Sequence, residues 1–84
     1  MTGHLEKLEA KKQFGFIRVP NGDSYFFHRD DFQGHWIDLC ADYSLSKPIH
    51  FDFQEGRTSK GLRARNVSRL DFPNQSTVEI EGNK

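Results

Sequence analysis

The chain has 84 residues, a hydrophobic content of 35% that includes 8 Phe, one Cys and a formal net charge of zero. One small domain of this size buries only about 60% of its unfolded surface. The aromatic content excludes a disordered chain, and no apolar run approaches the roughly 20 residues of a transmembrane helix. The lone Cys40 excludes an internal disulfide and a cysteine-based zinc site. With no basic-then-apolar leader at the start, the expected setting is reduced and cytoplasmic, with no membrane partner.

Residues 4–9 read as a weak strand in which Leu5 and Leu8 break simple alternation, the mark of a bulge or a bend. Phe14 to Val19 is a strong strand. Pro20-Asn21-Gly22-Asp23 is a hairpin turn, because Asn-Gly tolerates positive φ at low cost, and Ser24 to Arg29 is the return strand. With the turn at 20–23, strand parity puts Phe14, Phe16, Phe26 and His28 on one face and Gly15, Ile17, Val19, Tyr25 and Phe27 on the other.

Asp30-Asp31-Phe32 reads as a short capped turn, and residues 33–48 as a long connection containing Trp36, Cys40 and Tyr43 and closed by Pro48. No helix is expected. Ile49, Phe51 and Phe53 alternate with His50 and Asp52 in a half-buried fourth strand. Gln54 to Lys60 reads as a polar loop. Gly61 to Leu70 is a fifth strand whose alternation slips near Asn66. Five short antiparallel strands in about 70 residues favour a closed barrel, which removes exposed edges. The expected fold is all-β, a five-stranded OB-type barrel over residues 1–70, ahead of an SH3-like barrel; residues 71–84 are expected to form a polar, flexible tail.

Charge is segregated along the chain. Residues 57–69 carry Arg57, Lys60, Arg63, Arg65 and Arg69 with no acid, whereas residues 21–56 hold seven acids against Arg29 and Lys47. Such segregation can give a neutral molecule a basic face. Outward rings beside a basic face suit flat, anionic partners, and unpaired nucleic-acid bases are the usual ones.

These residues resemble the cold-shock domain. Thr2-Gly3, Lys12-Gln13-Phe14-Gly15-Phe16-Ile17, Phe26-Phe27-His28 and Gly61-Leu62-Arg63-Ala64-Arg65-Asn66-Val67 follow the family pattern T-G-x-V-K-W-F, K-G-F-G-F-I, D-V-F-V-H-F and K-G-x-x-A-x-N-V, over about residues 2–70. The resemblance implies a five-stranded OB barrel that binds single-stranded RNA or DNA with low sequence specificity. Lys12, Phe14 and Phe16 fall in the first ribonucleoprotein-type motif, and Phe26 and His28 in the second. Rings stack on bases and cations meet phosphates, without chemistry or a cofactor, in RNA-chaperone or regulatory roles.

The chain departs from the pattern at Glu6, Lys7 and Leu8, where the family carries Lys, Trp and Phe, at Gln13 in place of Gly, and at Arg29 in place of an aromatic. The connection after the third strand and the loop at 54–60 also look longer than in compact bacterial members.

The candidate nucleic-acid-binding residues are therefore Lys7, Lys12, Phe14, Phe16, Phe26, His28, Arg29, Trp36 and Arg63. Trp36 has two readings: it swings over the face to replace the missing strand-one Trp, or it packs the connection against the barrel end. The Phe rings have a second reading as a protein-contact surface, and Arg63, Arg65 and Arg69 as a solvated strand edge. His4, His35, His50 and Cys40 fit no zinc spacing, and Asp30-Asp31 suits a turn cap better than acid–base work, so no metal and no catalysis are expected. A monomer or weak dimer is the expected state.

Overall fold

The computed structural model describes residues 1–70; the expected tail at 71–84 lies outside them. Five strands, β1 (Thr2–Glu9), β2 (Phe14–Arg18), β3 (Ser24–His28), β4 (His50–Thr58) and β5 (Gly61–Arg69), close into a barrel in the order β1-β2-β3-β5-β4. The OB-type expectation holds, with one change in the pairing. β5 runs parallel to β3, through Phe26 and Arg63, because the chain crosses the barrel end between β3 and β4 before returning.

The bulge in β1 falls at Glu6, where the register with β2 shifts between Leu5 and Lys7. It lets Leu5 face Ile17 and Leu8 face Gly15 despite their odd spacing. The β2–β3 turn closes with Val19 N–H donating to Asp23 O at 3.0 Å and Asp23 N–H to Asn21 Oδ1 at 2.9 Å. Gly22 supplies the positive φ of 98° that this turn needs. Gly15 serves a different purpose. A Cβ there would lie 2.8 Å from the Phe27 ring and 2.9 Å from Lys7 O, so only glycine lets β1, β2 and the core ring approach this closely.

The inward set forms the core. Ile17, Phe27, Phe51, Leu39, Ala64 and Val67 are fully buried, with Leu8, Val19, Tyr25, Ile49 and Phe53 around them. Tyr25 anchors β3 to β4 by donating its hydroxyl to Glu55 Oε2 at 2.9 Å. Burial, then that bond, pushes its phenol above the usual range.

Two expected loops are regular structure. Residues 54–58 continue β4, and a two-residue turn at Ser59 and Lys60 leads into β5. Polar side chains suit this outer stretch because it needs ladder bonds rather than burial, and Gly56 faces Arg63 in register. Within 33–48, residues Trp36–Ser44 form a helix, α1, after a 3-10 turn at Arg29–Asp31. Trp36 and Leu39 are its buried residues and Cys40 packs beside them, whereas Ile37 and Leu45 are exposed. The helix plugs the barrel end and is tied to β5 by Arg69 donating to Asp42 Oδ2 at 2.8 Å, which holds the Asp42 carboxyl below its usual range.

Candidate nucleic-acid interface

The β2–β3 hairpin sets the site. Phe14 pairs with His28, Phe16 with Phe26 and Arg18 with Ser24, so alternate residues of both strands share the outer face. The register extends the face sideways. On β1, Glu9 lies beside Phe14 and Lys7 beside Phe16; on β5, Arg63 lies beside Phe26.

The three Phe rings form one cluster. Phe14 and Phe16 meet edge to face at 5.9 Å, Phe16 and Phe26 likewise at 5.9 Å, and Phe14 and Phe26 at 5.5 Å with a 33° tilt. These are favourable quadrupole geometries, and they hold the rings in place. All three remain half-buried while the inward rings of the same strands are shielded.

His28 lies on this face and also ends β3. Its Nδ1 accepts from the Asp30 backbone N–H at 3.1 Å, and its own backbone N–H donates to Asp31 Oδ2 at 3.0 Å, a reciprocal cap of the 3-10 turn. Used as an acceptor, Nδ1 leaves the neutral ring its proton on Nε2, which meets no acceptor among the described residues. Asp31 is the hub. The same Oδ2 accepts from Arg63 Nε at 3.2 Å and Nη2 at 3.0 Å, and so fixes the guanidinium next to Phe26.

The cations divide by partner. Lys7 pairs with Glu9 at 3.3 Å along β1, and Arg63 with Asp31. Lys12, on the β1–β2 turn, and Arg29, at the end of β3, meet no carboxylate within ion-pair range among the described residues. Both sit at the same end of the face, since Arg29 N–H donates to Gln13 O at 2.8 Å. Gln13 itself holds φ at 64°, a left-handed backbone that costs a side-chain-bearing residue about 1–2 kcal/mol.

Arg69 is drawn to α1, which leaves Arg57, Lys60 and Arg65 as the unpaired cations of the basic segment among the described residues. At the opposite end of the face from Lys12, Glu6 accepts from Arg18 Nη2 and from Ser24 Oγ at 2.7 Å. Arg18, then Ser24, holds the Glu6 carboxyl below its usual range.

Trp36 is not on this face. It is 6% exposed and stands edge to face against Phe27 at 6.2 Å and Phe32 at 6.3 Å, so it completes the core at the barrel end and cannot stack on a base. Its backbone is helical, which turns the ring inward with Leu39. Burial pushes the Cys40 thiol up, away from nucleophilic use. Among the described residues, no three His, Cys, Asp or Glu side chains converge on a possible metal position, and no helix is long and apolar enough to cross a membrane.

No family model matches the chain. Curated relatives do. The retron Se72 cold shock-like protein of Salmonella heidelberg is 32% identical over 71 residues, covering 82% of this chain and 97% of that protein. The chain belongs to the cold-shock protein family. The major cold shock protein CspA of Bacillus cereus is 30% identical over 70 residues, 83% of this chain and 97% of the relative. The cold shock-like protein CspLB of Listeria monocytogenes is 29% identical over 69 residues, 82% and 97%.

Within this cold-shock barrel, sequence reasoning missed three parts of the face: the Asp31 clamp on Arg63, the Glu6–Arg18–Ser24 cluster, and a groove of about 590 Å³ between the rings and the β4–β5 turn. The Arg18 and Ser24 positions follow from the parity that placed Phe16 and Phe26. The clamp joins residues 32 apart and leaves no local signal.

Proposed function

We propose that this cold-shock barrel binds single-stranded RNA or DNA with low sequence specificity, by stacking bases on Phe14, Phe16 and Phe26 and meeting the backbone with Lys12 and Arg29. The observation that carries this reading is the three-ring cluster, half-exposed on strands whose inward rings already fill the core. Each stacked base contributes roughly 1–3 kcal/mol. His28 Nε2 adds a donor, and Lys7 and Arg63 act as partly neutralised flanks. The work is mechanical. Stacking competes with base pairing and keeps strands open, so an RNA-chaperone or transcription or translation role in a cold-shock-type response follows by family analogy. A cytoplasmic setting, a monomer or weak dimer, and the absence of a cofactor or a membrane partner belong to the same reading.

NMR titration with a pyrimidine-rich heptamer tests it. Phe14, Phe16, Phe26 and His28 should shift together, and no perturbation at low salt and ~1 mM ligand, the weak end of specific affinity, sinks the proposal. Intrinsic fluorescence is a poor readout, because Trp36 is buried away from the face.

A second reading has its own observation. Glu6, Lys7 and Arg63, all on the ring face, are matched by internal partners, which leaves that part of the surface near neutral, as a protein-contact module would have it. A rise in mass with concentration, or a peptide that shifts the same Phe signals where the heptamer does not, would favour it.

A further inference from the structure

We infer that the groove between Phe26 and the β4–β5 turn is a single-base subsite selective for guanine, read by the Arg63 guanidinium. The inference rests on the nucleic-acid reading above and deepens it. The groove is lined by Phe16, Phe26, Thr58, Lys60, Leu62 and Arg63, and its volume of about 590 Å³ leaves room for a two-ring base. Phe26 offers a stacking face, Leu62 an apolar wall and Lys60 a cation for the phosphate.

What distinguishes this groove is the state of Arg63. Asp31 Oδ2 takes the Nε and Nη2 edge, at 3.2 Å and 3.0 Å, which locks the plane of the fork. Asp31 is itself fixed by the His28 backbone N–H, so the clamp is rigid. The far edge, formed by Nη1 and the outer N–H of Nη2, meets no acceptor among the described residues. Two parallel donors in a fixed plane match two adjacent acceptors on a base edge. Guanine presents O6 and N7 in that arrangement, whereas adenine pairs its N7 with a donor amine and uracil offers no such acceptor pair. Because Asp31 neutralises Arg63, the residue serves as a reader of base edges more than as a phosphate anchor, which explains why a cation beside a stacking ring is held by a carboxylate at all.

Labelled heptauridylate and versions with one central guanine, adenine, cytosine or 7-deazaguanine, compared by anisotropy at fixed salt, test the subsite. Central guanine should bind about fivefold to a hundredfold tighter than adenine or uracil. Removing the N7 acceptor in 7-deazaguanine should erase most of that gain on the unaltered protein. Arg63→Lys keeps the charge but loses the fork. It should therefore abolish the guanine preference, read as the ratio of guanine to uridine affinities on the same variant, with circular dichroism confirming the fold. Equal affinity for guanine, adenine and uracil overturns the subsite and leaves the general binding reading intact. Cytosine binding as tightly as guanine overturns the assignment to guanine. Failure of every heptamer to bind removes the general reading, and the subsite with it.

Discussion

The two faces of the β2–β3 hairpin carry the same chemistry to opposite ends. Inside, Ile17 and Phe27 are fully buried and Phe27 packs against Phe51 and Trp36. Outside, Phe14, Phe16 and Phe26 pack against one another and stay half-exposed. One residue of chain separates a ring that holds the barrel together from a ring available to a partner. Apolar character alone therefore assigns no role; parity and what lies on the far side of the ring decide it.

This contrast can be broken by truncation on each side. Phe27→Ala removes a fully buried ring and should cost about 3–5 kcal/mol, enough to unfold much of a small domain, as read from the denaturant midpoint. Phe14→Ala should leave stability within about 1 kcal/mol and instead weaken oligonucleotide binding by about 1–3 kcal/mol. Unchanged affinity would remove Phe14 as a stacking platform, and a core-sized stability loss would make the outer face a second core.

The cations sharpen the comparison further. With Lys7 and Arg63 already paired, the proposed binding mode leaves two or three phosphate contacts, assigned there to Lys12, Arg29 and Lys60. The log–log salt slope should then be about −1.4 to −2.1, near a tenfold loss between 50 and 200 mM salt. A much steeper slope would mean that ligand displaces the internal carboxylates. Gln13→Gly relieves a left-handed residue and should stabilise the fold by about 0.5–1 kcal/mol without touching the inner face.

The smallest effect belongs to Glu6. Its carboxyl is held down by Arg18 and Ser24, so its stabilising contribution is present above the ordinary value of 4.5 and lost as pH falls below it. Glu6→Gln should therefore lower stability at neutral pH and match the parent at acid pH. A constant gap across pH would show that the carboxylate charge is not what the cluster uses.

Much of this was legible in the chain. The Asn-Gly turn fixes the β2–β3 register, and parity then sorts every ring on that hairpin correctly. The uneven spacing of Leu5 and Leu8 marked the bulge that the structure places at Glu6, and the slip near Asn66 coincides with a positive φ of 50°. The helix was missed although Trp36, Leu39, Cys40 and Tyr43 carry helical spacing, because its outer face mixes Ile37 and Leu45 with acids and His35 caps it without a side-chain bond. Residues 54–58 looked like a loop because strand identity there comes from ladder bonds to β5, which polar side chains do not announce. Charge segregation in sequence overstated the basic face, since Asp31 and Asp42 fold back onto Arg63 and Arg69.

The parallel seam between β3 and β5 has a consequence for how the barrel assembles. It joins Phe26 to Arg63, 37 residues apart, whereas β1–β2, β2–β3 and β4–β5 each pair across a short turn. Loop-closure entropy opposes this seam, like the β1–β4 seam that pairs Thr2 with Asp52, until the hairpins exist, so the hairpins are expected to form early and the β3–β5 seam to close late. A contact made that late governs escape from the native state more than arrival at it. The Asp31–Arg63 clamp straddles the seam and so acts as its latch: Asp31→Asn should speed unfolding while leaving the refolding rate nearly unchanged in a stopped-flow chevron, and equal effects on both limbs would place seam closure early instead.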